Sequence, residues 1–169
     1  GLARVVEDPL MSNDIVEAPL EIITETITAL RSAGQVGKEC VVLWLAREER
    51  GCRLVNEVYV PEQAAEEDSF RIPPVSMRRI LTRLREHNLL VAAQVHSHPM
   101  EAFHSHADDQ WAIVRHVGAL SVVVPYFAQQ ITAANFIQQT ALFSLSDKNI
   151  WEPVAVRDTH HHYRIEMPC

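Results

Sequence analysis

An apolar run that stops abruptly at a cluster of histidines constrains this chain more than any other feature. Residues 89–95, Leu-Leu-Val-Ala-Ala-Gln-Val, read as a buried strand, and the chain continues His-Ser-His-Pro-Met-Glu-Ala-Phe-His-Ser-His-Ala-Asp-Asp to Asp109. Side chains alternate faces along a strand, so His96 and His98 project from the same side, about 7 Å apart by strand rise. Pro99 has no N–H to give to a ladder, which ends the strand just past the second histidine and leaves both rings at its carboxyl end. Two imidazoles are thereby aimed at one point.

After six intervening residues comes Ser105, then His106-Ala107-Asp108, then Asp109-Gln110-Trp111-Ala112-Ile113-Val114 with helical spacing of its apolar positions. Asp108 falls in the first turn of that helix. Two neutral imidazoles, one carboxylate and a fourth position open to water make the ligand set of a catalytic zinc site, whereas structural sites close with four protein ligands, mostly thiolates. Such a metal lowers the pKa of its water to about 7 and polarises carbonyls. A general base is still required, and it must be a carboxylate within hydrogen-bond reach of that water.

His96-Ser97-His98-Pro99 followed by Ser105-x-x-Asp108, with Glu39 upstream in Gly-Lys-Glu-Cys-Val-Val-Leu-Trp-Leu at the start of an apolar strand, resembles the JAMM (MPN-type) metalloprotease family. Members are zinc isopeptidases that remove ubiquitin or ubiquitin-like proteins from lysines, and some prokaryotic relatives trim small sulfur-carrier proteins. The resemblance implies one zinc ion per chain held by His96, His98 and Asp108. It makes Ser105 a hydrogen-bond donor to the oxyanion or the metal-bound water, and Glu39 the base. The loop from His98 to Ser105 is one residue shorter than is usual in the family. Asp108 therefore keeps the family's spacing from the serine, while Asp109 keeps its distance from the second histidine. Helix geometry couples Asp108 to Ser105, which favours Asp108 as the third ligand. The stretch Ala-Phe-His-Ser-x-x-Asp-Asp and the later Leu-Ser-Val-Val-Val-Pro look more like prokaryotic members than like eukaryotic proteasome-associated ones.

Each of these residues also has a plainer reading. Ser105-x-x-Asp108 fits a capping box that serves only a helix start. A lone His-x-His on a strand is more often incidental than metal-binding, and Glu39 alone is a solvated charge at a strand mouth. It is the combination that points to chemistry. Glu57 and Glu62 are reserve candidates for the base. His104 and His106 flank Ser105 as loop histidines beside the site. In His160-His161-His162, an extended chain puts only the outer two on one face, with Asp158 as the nearest carboxylate, and a solvated edge is expected.

The chain of 169 residues, 47% hydrophobic and 22% charged, fits one domain with a substantial core. A formal charge of -7 argues against a nucleic-acid backbone as partner. No apolar run reaches transmembrane length, so no membrane partner is expected. The start lacks the charged leader and apolar block of a signal peptide, and Cys40, Cys52 and Cys169 form no C-x-x-C pair. A cytoplasmic chain is the simplest expectation.

Residues 1–19 read as an N-terminal extension and 20–169 as the catalytic domain. Leu20, Ile23, Ile27 and Leu30 predict a helix ending near Gly34. Residues 40–46 and 53–60 predict a hairpin, 61–74 an acidic loop, and 76–87 a helix capped by Ser76. Then come the histidine strand, a helix from Asp108 to about His116, a strand at 120–125, an unassigned stretch at 126–142, and closing strands at 143–151, 154–157 and 163–167. The order gives an α/β single domain with a mixed sheet flanked by helices, which agrees with the MPN-like (cytidine-deaminase-like) fold of the family. The expected activity is a zinc-dependent isopeptidase or peptidase acting after the carboxyl-terminal tail of a ubiquitin-like protein, in a bacterial conjugation pathway. The competing readings are a non-catalytic MPN scaffold that binds a partner, and a zinc hydrolase of small amide conjugates.

Overall fold

The computed structural model describes residues 15–65, 70–102 and 113–166. An eight-stranded mixed sheet runs through it. Its strands are β1 (Val16–Pro19), β2 (Val41–Glu49), β3 (Cys52–Tyr59), β6 (Leu90–Ser97), β7 (Leu120–Val124), β8 (Ala141–Leu145), β9 (Trp151–Val154) and β10 (Tyr163–Glu166), in the spatial order β10-β1-β3-β2-β6-β7-β8-β9. A separate two-residue ladder joins β4 (Ala64–Ala65) to β5 (Phe70–Arg71). Among the described residues the α-helices are α1 (Leu20–Gly34), α2 (Pro74–His87) and the short α3 (Phe136–Gln139).

β7, Leu-Ser-Val-Val-Val, is buried at all five positions. A fully buried, mostly apolar strand of this kind marks a sheet covered on both faces. On one face α1 packs Ile22, Ile23, Ile27 and Leu30 onto Val42, Trp44, Val95 and Val122. Trp44 is fully buried there, with Tyr163 edge-on at 5.7 Å and Phe136 at 6.2 Å. Its indole N–H donates to Thr26 Oγ1 at 2.9 Å, and that hydroxyl donates to the Ile22 carbonyl at 2.7 Å, so the buried polar atoms of this pair are matched. On the opposite face, Val41, Leu43 and Leu45 of β2 meet Ile72 and Ile80, with Met77 and Leu84 of α2 against them.

The first helix and the hairpin lie where the sequence predicts them. Val16–Pro19, part of the stretch read as an extension, pairs in parallel with both β10 and β3 inside the sheet. α2 begins two residues before the expected cap. Pro73 stands at the N-cap with no side-chain bond and Pro74 supplies a preset φ at the first helical position, while Ser76 is buried within the first turn. The helix expected to reach His116 does not do so, because residues 113–116 are not helical, and 108–112 lie outside the described residues. The single strand expected over 143–151 is two, β8 and β9, paired antiparallel. The strand expected over 154–157 does not form: β9 ends at Val154, and residues 156–161 make a 3₁₀ turn. Among the described residues no helix is long and apolar enough to cross a membrane.

The unassigned stretch opens with an unusual turn. Tyr126, Phe127 and Ala128 all have left-handed φ values, of 52°, 52° and 61°, a region that costs residues with a Cβ about 1 kcal/mol or more each. Surrounding structure must hold it there. Arg31 of α1 donates to the carbonyls of Ala128 and Ile131, at 3.1 and 2.8 Å from Nη2. Gly34, at the end of α1, lets Phe127 approach so closely that a Cβ on residue 34 would lie 2.3 Å from the Phe127 Cβ. In an open helix Gly to Ala gains about 0.5–1 kcal/mol. Here Gly34→Ala is expected to reverse that sign, destabilising the fold by about 1–3 kcal/mol. A fall of several degrees in the thermal midpoint is the expected result, and an unchanged or raised midpoint contradicts this packing.

Candidate functional site

β6 ends at Ser97, between the two histidines, and its two neighbours determine what stands around them. On one side β2 runs antiparallel, with Val41 opposite His96. The pairing continues past the strand end: the Cys40 N–H donates to Ser97 Oγ at 3.0 Å, and the Ser97 N–H donates to the Cys40 carbonyl at 3.0 Å. One more step in that register sets Glu39 opposite His98, on the face shared with His96. On the other side β7 runs parallel, with Val123 beside His96. The His98 N–H donates to Val124 O and the His98 carbonyl accepts from the Phe127 N–H, both at 2.8 Å. The left-handed turn thus clamps the backbone of the second histidine.

Glu39, His96 and His98 are 2%, 0% and 3% exposed. The two imidazole rings stand 5.1 Å apart, centre to centre, tilted by 54°. A buried carboxylate beside two imidazoles is costly unless a charge of opposite sign offsets it. Imidazole nitrogens on one tetrahedral zinc lie about 3.4 Å apart, a spacing that rings this close can reach. The donor chemistry therefore fits a divalent metal held by the two histidines, with the carboxylate opposite. Among the described residues no three His, Cys, Asp or Glu side chains form a metal-binding group. Ser105, Asp108 and its rival Asp109, with His104 and His106, lie outside the described residues.

The structure separates the competing carboxylates. Glu57 accepts from Arg83 at 3.0 Å and Glu62 from Arg79 at 2.8 Å, so both reserve candidates are engaged with α2. Glu39 alone of the three stands at the histidine end of β2. Next to it, Cys40 packs into the core on the α1 face, turned away from the histidines, and burial pushes its thiol up to about 11. The rings of His160 and His161 lie 4.0 Å apart, tilted by 38°, within the 3₁₀ turn, away from the extended geometry expected of them.

Two glutamines carry roles that the strand patterns did not announce. The β2–β3 register would set Pro61 opposite Val41, yet proline has no N–H to offer. The Gln63 side chain stands in for the missing ladder: its Oε1 accepts from the Val41 N–H at 2.8 Å and its Nε2 donates to the Val41 carbonyl at 3.0 Å. This fixes the end of β2 two residues from Glu39. Gln94, the one polar residue in the apolar run before His96, is fully buried and binds both Ser121 and the backbone at Ile113. A lone amide in an otherwise apolar strand was the available signal.

The family described as prokaryotic homologs of the JAB domain matches residues 25–134, a span that includes Glu39, both histidines, Ser105 and both aspartates. The chain belongs to this JAB (JAMM/MPN-type) family. It is 33% identical over 119 residues to the probable metalloprotease y4jG of Sinorhizobium fredii (strain NBRC 101917 / NGR234), covering 68% of this chain and 74% of that protein. Its fold is similar to the solution structure of protein DSY2949 from Desulfitobacterium hafniense, at a TM-score of 0.66 and 15% identity, covering 91% of this chain and 94% of the other. At that identity the likeness speaks for the MPN-type fold alone.

The paired buried histidines and the motif resemblance together imply that the protein binds zinc. Purified protein reconstituted with zinc and desalted is expected to retain about one equivalent by elemental analysis. His98→Ala and Asp108→Ala should lose it while Asp109→Ala keeps it. Retention by Asp108→Ala with loss by Asp109→Ala would transfer the third ligand to Asp109.

Proposed function

We propose that this chain is a zinc-dependent peptidase that hydrolyses the amide bond following the carboxyl-terminal tail of a ubiquitin-like protein. The observation that carries the proposal is the burial of His96 and His98 side by side at the end of β6, with Glu39 brought opposite them by the β2 register. Family membership and the likeness to a probable metalloprotease support metal-dependent peptide hydrolysis. The ubiquitin-like substrate is this reading's own extension, taken from the resemblance of the His-Ser-His-Pro and Ser-x-x-Asp motifs.

His96, His98 and Asp108 would hold the metal. When bound, zinc supplies a Lewis acid that makes water acidic near neutral pH and polarises a carbonyl. Glu39 takes the proton of the attacking water and delivers it to the leaving amine, the two halves of general acid–base catalysis by one carboxylate. Its anchoring through Cys40 and Val41 to β6 and Gln63 holds its backbone in register with the histidines. Ser105 donates to the carbonyl oxygen as negative charge builds on it, a contribution of about 10² to 10³ in rate for a single donor.

The test is a ubiquitin-like protein fused through its carboxyl terminus to a reporter. Cleavage at the junction is expected, abolished by a chelator and restored by zinc. Glu39→Gln is expected to keep its metal and lose about 10² to 10⁴ in rate. Equal turnover by Glu39→Gln and the parent contradicts the assignment of the base. Hydrolysis of short amide substrates with the fusion left intact contradicts the ubiquitin-like substrate and favours a small-conjugate hydrolase.

A further inference from the structure

We propose that Ser97 is a positioning residue: its hydroxyl, standing where a main-chain carbonyl would complete the ladder, sets the spacing between Glu39 and the histidines and so the rate of the step that Glu39 catalyses. This inference rests on the assignment of Glu39 as the base and deepens it. In a regular antiparallel ladder a hydrogen-bonded pair exchanges two main-chain bonds. Cys40 and Ser97 stand as such a pair, one step beyond Val41 and His96. The Ser97 N–H donates to the Cys40 carbonyl at 3.0 Å. Among the described residues, however, the Cys40 N–H donates to Ser97 Oγ, also at 3.0 Å, and not to the Ser97 carbonyl. The same hydroxyl makes a longer contact of 3.5 Å to the Cys40 carbonyl as donor. One side-chain oxygen therefore replaces half of the last rung between the two strands.

The replacement matters because of what comes next along the two strands. Glu39 and His98 would form the following pair, of the kind without main-chain bonds, in which facing Cβ atoms come within about 4.5–5.5 Å. Spacing that tight sets a carboxylate directly against an imidazole and leaves little place for the water that a general base must reach. With a hydroxyl inserted in the rung, β2 and β6 part at this level, and Glu39 gains that room beside the rings. His98 does not follow β2, because its N–H and carbonyl are bonded to Val124 and Phe127 on the other side, both at 2.8 Å. The second histidine is thus held from β7 and the base from Ser97, by two separate sets of bonds. Ser97 and Cys40 are both buried, so solvent cannot take over the role of the hydroxyl. Misplacing a catalytic group by about 1 Å can cost about 10²-fold in rate, and residue 97 acts on Glu39 at that scale while leaving the histidines where they are.

Ser97→Ala, Ser97→Thr and Ser97→Cys are compared with the parent and with Glu39→Gln, alone and combined with Ser97→Ala. The readouts are kcat and KM on the reporter fusion, zinc affinity by competition with a chromophoric chelator, the thermal midpoint, and hydrogen exchange of the Cys40 amide by NMR in the metal-free protein. Ser97→Ala is expected to lower kcat about 10- to 100-fold, with KM and zinc affinity each within about threefold of the parent, and to lose the slow exchange of the Cys40 amide. Ser97→Thr, which keeps a hydroxyl, should restore both. Added to Glu39→Gln, Ser97→Ala should slow the reaction no further, because it acts through that carboxylate alone. A merely structural hydroxyl would lower the midpoint and leave kcat at the parental value, and that result overturns the proposal. So does a loss of zinc affinity that matches the loss of rate, or a further drop in the double variant. Should Ser97→Thr fail to fold, Ser97→Cys decides: close in size but a weak acceptor, it is expected to turn over like Ser97→Ala, and parental turnover overturns the proposal. A parent that binds no zinc or leaves the fusion intact fails differently, since it overturns the reading of the site's function on which this inference rests.

Discussion

The reciprocal pair of hydrogen bonds between Cys40 and Ser97 is the join on which the rest of this molecule depends. These two contacts, both at 3.0 Å, extend the β2–β6 ladder one residue past its last regular pair. The extension converts two separate sequence features, an acid before one apolar strand and two histidines after another, into neighbours. Slipping the register by one residue would turn Glu39 to the opposite face, into the core beneath α1. The apolar residues of β2 prevent that slip, because Val42 and Trp44 fill the α1 side while Val41, Leu43 and Leu45 fill the α2 side. Packing on both faces thus sets the register, and the register sets the site.

What surrounds the histidines is held mainly by side chains and an irregular turn. Gln63 replaces a ladder partner that Pro61 cannot supply, Gln94 receives the chain as it returns, and the left-handed residues 126–128 lock His98 from the β7 side. These three devices stand around one strand end. Each costs something locally, whether backbone strain or a buried amide, and the cost is offset by contacts made elsewhere in the core. Arg31 and Gly34 show how: the carboxyl-terminal turn of α1 both bonds the turn and makes room for Phe127.

Much of this was legible in the sequence because it rests on periodicity. The 3.6-residue repeat of Ile23, Ile27 and Leu30 marks α1, and the mostly apolar run of β7, interrupted only by Ser121, marks a strand covered on both faces. The alternation of His96 and His98 forecasts their common side. What escaped depends on contacts between residues far apart in the chain. Val16–Pro19 is too short to show a period and becomes a strand only because β3 and β10 lie on either side of it. Ser76 has the chemistry of a cap, yet the Pro73-Pro74 pair starts the helix earlier. The turn at Tyr126 carries no glycine to announce its left-handed backbone, and Gln63 and Gln94 look like ordinary polar residues until their partners, 22 and 19 positions away, are known.

The central claim is that two buried imidazoles share one divalent cation that faces Glu39. Anomalous diffraction at the zinc absorption edge, from crystals grown with zinc, tests it most directly. The account predicts a single strong peak about 2.0–2.1 Å from one nitrogen each of His96 and His98, with the Glu39 carboxylate beside it and outside the ligand set. A zinc-saturated crystal with no peak between those rings, or with its peak at His160 and His161, would contradict it.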